Sequence, residues 1–247
     1  MDGYALLGWS PDSSGTSALY PAGSEYTINS DMTLYAIWTE FTPLTSYKCA
    51  NSSSGSEPYD INYSGNCTMV NDGDGNWSMK LLTNGNLTTS SSVAIDAFLL
   101  GGGGGGGTSR DPGNDNPRKH DGHPGGGGYY DNLYKIGFYN DLDYEIIIGA
   151  GGAAAYNGYA GGSTKAFGAT VKGGDGGGHG WGSYAAGCHT TTNGFDEAGS
   201  TYSGTGVLDT AGSTNRGNGG GGGYAVLEMN NPGKNGGSGI VIIRNAR

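Results

Sequence analysis

The sequence has no run of about 18 apolar residues, the length a membrane-spanning helix needs. Its first residues lack a basic segment followed by an apolar stretch, so no signal peptide is legible. A virion protein or a trimmed chain would lack one too. Cationic residues are scarce: 12 Lys and Arg stand against 22 Asp and Glu, giving a net charge of −10. Nucleic acid requires a cationic face, so this balance disfavours it and no nucleic-acid partner is expected, while solubility is favoured. Hydrophobic residues make up only 34 % of the chain, so a conventional close-packed core can fill only part of the protein. There are three cysteines, and at least one must stay unpaired. Cys49 and Cys67 are the candidate disulfide, worth about 3 kcal/mol across their loop; two buried thiols are the alternative. Cys188 would then be free.

Glycine is what the chain has instead: 53 residues, of which 44 follow residue 100. Seven of them run consecutively from Gly101 to Gly107, directly after the apolar stretch Asp96-Ala-Phe-Leu-Leu100. Ordering 44 glycines costs about 20–45 kcal/mol relative to alanine, more than the ~5–15 kcal/mol net stability of a domain. Such a segment is either disordered or folded in a way that needs residues without side chains. Apolar runs border the glycines at 93–100, 144–148, 224–229 and 240–243, which favours a fold with backbone packed on backbone. Without a strict every-third glycine there is no collagen triple helix. Polyproline-II-type segments can pack closely when glycine fills the inward positions.

The expected fold is all-β, with β-strands combined with a glycine-rich polyproline-II-like sandwich and a small β unit at the N-terminus. Three parts are expected: 1–40 as a partial β module, 41–62 as a Ser/Thr/Pro-rich linker, and 63–247 as the glycine-rich domain. Within 63–82 two strand-like runs flank Asn71-Asp-Gly-Asp-Gly-Asn76, a hairpin signal. Ile240 to Ile243, four consecutive apolar residues, suit a central strand covered on both faces. They are expected beside Val93–Leu100 or Tyr144–Ile148.

Two stretches carry resemblances. Gly3-Tyr-Ala-Leu-Leu-Gly-Trp9 and Thr33-Leu-Tyr-Ala-Ile-Trp38 resemble the second half of the Listeria–Bacteroides B-repeat of internalin-like surface proteins. The repeat's opening strand pair has no counterpart before Gly3, which points to a start inside a longer parent; a degenerate module beginning at Met1 is the alternative. Asp72-Gly-Asp-Gly-Asn-Trp77, Lys80-Leu-Leu-Thr-Asn-Gly85, Ile95-Asp-Ala-Phe-Leu-Leu-Gly101 and Gly236-Gly-Ser-Gly-Ile-Val-Ile-Ile-Arg244 resemble a glycine-rich domain of tail-fibre-like and bacterial surface proteins. The resemblance implies an extracellular, cell-surface or virion binding module without established catalysis, and it carries over no binding residue. In composition and pattern the segment is also similar to polyglycine tip adhesins of phage tail fibres.

Several motifs invite other chemistry. Glu145-Ile-Ile-Ile-Gly-Ala-Gly-Gly-Ala-Ala154 imitates a dinucleotide fingerprint, but Gly158, Gly161 and Gly162 would interrupt the helix it requires. Asp72-Gly-Asp-Gly-Asn76 alternates oxygen ligands, yet Trp77 and Thr83 occupy the positions where a calcium loop needs Gly and Glu. His120, His123, His179, Cys188 and His189 lie in polar or glycine-rich stretches, and solvent-facing loop histidines account for them as readily as a zinc site. No G-x-S-x-G elbow occurs. The expectation is a protein with no catalytic residues, no metal and no cofactor. Five Asn-x-Ser/Thr sequons start at Asn51, Asn62, Asn66, Asn76 and Asn86, and they matter only on a glycosylating secretory route.

The insertions between glycine runs, 108–124, 153–159 and 180–206, hold the candidate ligand-binding aromatics Tyr156, Tyr159, Trp181, Tyr184, Phe195 and Tyr202. Rings beside Asn, Asp and Ser suit carbohydrate; the bland reading is that they cover the glycine layer. The favoured function is a non-catalytic adhesin or receptor-binding module of a phage tail fibre or bacterial surface. Its partner would be a surface glycan or cell-envelope receptor, with no membrane insertion. The alternative is a fibre or filament subunit that self-assembles through its glycine layer.

Overall fold

The computed structural model describes residues 4–16, 18–21, 26–27, 29–40, 44–73, 76–110, 120–140, 142–180, 187, 191–192, 194–195, 201–225 and 230–246. They contain strands and no helix, so the chain is all-β. In order these are β1 (Tyr4–Ser10), β2 (Tyr20–Pro21), β3 (Tyr35–Glu40), β4 (Tyr47–Lys48), β5 (Ser53–Ser54), β6 (Ile61–Tyr63), β7 (Cys67–Gly73) and β8 (Asn76–Leu81). There follow β9 (Gly85–Thr89), β10 (Val93–Leu100), β11 (Tyr130–Phe138), β12 (Tyr144–Ile146), β13 (Thr164–Ala166), β14 (Ala169–Val171), β15 (Thr191–Thr192), β16 (Tyr202–Ser203) and β17 (Ile240–Asn245).

The N-terminal unit is a three-stranded sheet, β2-β1-β3, whose β1 packs along β10 and β11. Leu7 and Ile37 are buried, and the Tyr139 hydroxyl donates to the Leu7 carbonyl. Next comes a sandwich of two five-stranded sheets, ordered β11-β10-β17-β8-β7 and β12-β9-β6-β4-β5. Alternate residues of each sheet meet in one core, with Met79, Leu81, Leu99 and Ile243 of the first facing Ile61, Leu87 and Ile146 of the second. β17 lies between β10 and β8, with Ile240 to Ile243 at most 2 % exposed. That is the central position its unbroken apolar run requires. Asp96, fully buried at a bulge in β10, accepts from the Lys135 amide at 3.0 Å and from Arg244 Nε at 3.1 Å. These bonds satisfy a carboxylate that would otherwise be costly to bury.

The expected linker at 41–62 is corrected over residues 44–62. This segment supplies β4, β5 and the start of β6 to the second sheet, and Cys49 is joined to Cys67 by a disulfide. The Asp60 carboxylate fixes its entry, accepting from Thr45 N, Thr45 Oγ1 and Ser46 N at 2.8, 2.8 and 2.9 Å.

Beyond the sandwich the chain abandons β-pairing for a polyglycine array. Residues 101–109 form its axis. A polyproline-II helix has three residues per turn and no internal hydrogen bonds, so successive amides point about 120° apart at different neighbours. The amides of Gly101, Gly104 and Gly107 accordingly donate to residues 129, 126 and 123; those of Gly102, Gly105 and Thr108 to 162, 159 and 156; and those of Gly103, Gly106 and Ser109 to 237, 234 and 231. These three runs are antiparallel to the axis. Three further runs are parallel to it: Gly152 donates to the Gly103 carbonyl, Gly174 and Gly177 to those of Gly102 and Gly105, and Gly220 and Gly223 to those of Gly104 and Gly107. The six runs also bond to one another in a closed ring, through pairs such as Gly126–Asp175, Gly161–Gly174, Gly162–Ala150, Gly236–Gly152, Lys234–Gly221 and Gly125–Gly220. Residues 204–212 lie outside this ring against 217–223, with Asp209 donating to Gly222 at 3.0 Å.

The seven-glycine run is thus the axis of a hexagonal bundle. A Cβ on any of Gly101 to Gly107 would come within 1.9–2.2 Å of a backbone carbonyl oxygen. The array also continues the sandwich. Strands β11, β10 and β17, neighbours in the first sheet, extend into runs 122–129, 101–109 and 231–239. Thr164, fully buried where the two parts join, donates from Oγ1 to the Leu100 carbonyl at 2.6 Å and accepts from Gly149 N at 2.9 Å.

Candidate functional site

The array directs several excursions of the chain to the end farthest from the sandwich. The axis leaves it at Ser109, bonded reciprocally to Asn231, and Arg110 is bridged to His120. The turn at 155–157 lies beside Thr108, whose amide donates to the Tyr156 carbonyl and whose hydroxyl donates to that of Ala155. The chain leaves again after Gly180, whose amide reaches the Thr108 carbonyl. Ala225 is held there by the Asp121 carboxylate, at 2.7 Å.

Two of the expected aromatics stand on this end as exposed rings. Tyr156 is 58 % exposed and Tyr159 67 %. They are three residues apart on the run 156–162, one polyproline-II turn or about 9 Å. Their backbones are fixed: Tyr159 donates to Ala153 and accepts from Gly105, both at 2.9 Å. The Tyr156 ring stacks on that of His179, with centroids 4.3 Å apart and planes inclined by 19°. His179 is held by Asn157, whose side-chain oxygen accepts from the His179 amide at 3.0 Å and lies 3.1 Å from Nδ1. An amide oxygen can only accept, so Nδ1 carries the proton. The result is a rigid apolar surface with an amide beside it, able to stack on a sugar face and bond to hydroxyls.

The other expected contacts lie elsewhere. Tyr202 is 1 % exposed and packs on Phe98, Leu100, Ile240 and Ile242 beneath the first sheet, so it is a core residue. Phe195 is half-buried against the same cluster, with the Arg244 guanidinium 4.0 Å above its ring. Both sit at the sandwich end, about 25 Å from Tyr156 by the eight-residue rise from Leu100 to Thr108. Phe195 and Tyr202 therefore cover an apolar sheet face. Trp181 and Tyr184 lie outside the described residues, as do Cys188 and His189. Sequence reasoning missed His179 as a stacking partner, and it missed Tyr224, 52 % exposed at the start of the excursion after Gly223. A run of the form Gly-Tyr-Ala-Val-Leu read as the start of a strand.

Together these parts define an all-β protein in which a sandwich is prolonged by a polyglycine array. No protein-family model matches the chain, and no curated protein matches it.

Proposed function

We propose that the chain is a non-catalytic adhesin or receptor-binding module, displayed outside the cell on a phage fibre or bacterial surface, which engages surface carbohydrate through aromatics at the far end of its array. The observation that carries this reading is the pair of exposed rings, Tyr156 and Tyr159, on a run whose backbone is locked into the bundle. A rigid scaffold presenting recognition groups at its connections is the usual arrangement of binding loops, and pre-ordered rings lose little entropy on binding. The Cys49–Cys67 disulfide supports an oxidising location. The test is a whole-cell or glycan-array binding assay comparing the wild type with Tyr156→Ala and Tyr159→Ala, and with Trp181→Ala and Tyr184→Ala. Loss of binding in the first pair with stability intact supports the reading; unchanged binding in Tyr156→Ala and Tyr159→Ala removes this end from the site.

A second reading, a filament subunit, draws on the array's uncovered flank, where exposed Ala150, Ala153 and Ala160 leave room for another chain. Concentration-dependent polymers in sedimentation would favour it, and a discrete particle would oppose it.

A further inference from the structure

The second sheet of the sandwich has an outer face of its own. Opposed residues of a ladder share a face, and Lys48 is opposite Asn62, Asn62 opposite Thr88, and Glu145 opposite Asn86. These side chains therefore stand away from the core residues Ile61, Leu87 and Ile146. Two adjoining cavities of about 330 and 580 Å³ indent this face, and Asn62 and Thr88 line both. They form one groove, which runs from Asn86 and Ser64 across β9, β6 and β4 to Tyr59 and Ser90.

Polar side chains around the groove are mostly used by the protein itself. Ser64 Oγ accepts from the Asn86 amide at 2.8 Å, Asn51 is paired in both directions with Cys67, and Asp60 is saturated by Thr45 and Ser46. The side-chain amides of Asn62 and Asn86 and the Thr88 hydroxyl have no such partner among the described residues. Lys48 and Glu57 form an ion pair at 3.4 Å, cancelling each other's charge in the groove. The half-buried Tyr59 ring gives the floor an apolar wall. Unspent amides and a hydroxyl, a self-neutralising ion pair, the Glu145 carboxylate opposite Asn86 and one ring do not suit an anion or an apolar peptide. They suit adjacent hydroxyls on a saturated ring.

We propose that this groove is a carbohydrate subsite separate from the far end of the array, taking an unbranched neutral oligosaccharide laid across β4, β6 and β9. Asn62 and Asn86 bond sugar hydroxyls as both donors and acceptors, Thr88 lies between them, and Tyr59 packs against a sugar C–H face. The site does not depend on Tyr156 or Tyr159, so either surface can fail while the other stands.

The experiment is an NMR titration of the isotopically labelled full chain with maltotriose, cellotriose and N-acetylchitotriose in turn. With at least one of them, the side-chain NH₂ signals of Asn62 and Asn86 and the Thr88 signals should shift saturably. Asn62→Ala with Thr88→Val should weaken that binding about tenfold or more through two lost hydrogen bonds. Asn86→Ala provides a second variant should the double one be poorly folded. Tyr156→Ala with Tyr159→Ala should leave the groove's affinity within about twofold, since the sites share no contact. The proposal is overturned if none of the trisaccharides shifts the groove signals, if the shifts are confined to Tyr156, Tyr159 and His179, or if binding survives the groove substitutions unchanged.

Discussion

Replacing Gly104 with alanine tests the array where it is least forgiving. Its added Cβ would lie 2.0 Å from the Asp175 carbonyl oxygen and 2.4 Å from the carbonyl carbon, both backbone atoms. Since real Cβ atoms keep at least 3.0 Å from such neighbours, the run around Asp175 must retreat by about 1 Å. That run is held by Gly174 donating to Gly102 (2.9 Å), Gly177 to Gly105 (2.8 Å) and Gly126 to Asp175 (3.0 Å). Overpacking costs about 1–3 kcal/mol, and two strained buried hydrogen bonds add about 1–3 kcal/mol each. Reduced freedom of the unfolded chain returns about 0.4–1 kcal/mol, leaving a loss of about 2–8 kcal/mol. Gly168→Ala is the control. Nothing lies within 4 Å of its Cβ position, but its φ of +78° strains an L residue, for a net loss of about 1 kcal/mol. Urea denaturation followed by tryptophan fluorescence, with Trp77 buried as a reporter, compares the two midpoints. Gly104→Ala losing no more stability than Gly168→Ala would refute the close-packed array.

Arg244→Ala leaves the buried Asp96 carboxylate, among the described residues, with the Lys135 amide alone, and should cost about 3–5 kcal/mol in chemical denaturation. Reducing the Cys49–Cys67 disulfide, which spans 18 residues, should lower stability by about 3 kcal/mol, read as a drop in thermal midpoint with dithiothreitol. Burial alone would raise the Asp60 pKa, but the hydrogen bonds from Thr45 and Ser46 outweigh it and hold the carboxyl below its ordinary value. Its contribution is therefore present above the unfolded carboxyl's pKa of about 3.9 and lost as pH falls further; amide exchange at Thr45 and Ser46 should accelerate in that window. Tyr63, buried and donating to the Thr83 carbonyl, has its pKa raised by desolvation. Stability should therefore decline once pH exceeds the unfolded phenol's value of about 10, as followed by near-ultraviolet circular dichroism.

The parts of this fold legible in the sequence are those that local pattern determines. Leu100, Ile148, Val171 and Gly239 mark where strands give way to glycine, and each transition is where a strand enters or leaves a run of the array. The four-residue apolar run at Ile240 suits a doubly covered strand, and it is one. The segment 44–62 was illegible because β4 and β5 are two residues each, too short to show alternation; they form because β6 and a disulfide hold them. The packing of Phe195 and Tyr202 is not legible because nothing nearby in sequence reveals that Phe98 and Ile242 need a cover on the outer side of the first sheet. The outer groove was invisible for the same reason, since Asn62 and Asn86 become neighbours only through the pairing of β6 with β9.

The glycine segment is a hydrogen-bonded core, and native-state amide exchange measures that directly. The amides of Gly102 to Gly107, each bonded to a surrounding run, should exchange in the slowest class, together with Ile240 to Ile243 of β17. Exchange of these glycine amides at the rate of an unstructured chain, while β17 stays protected, would contradict it.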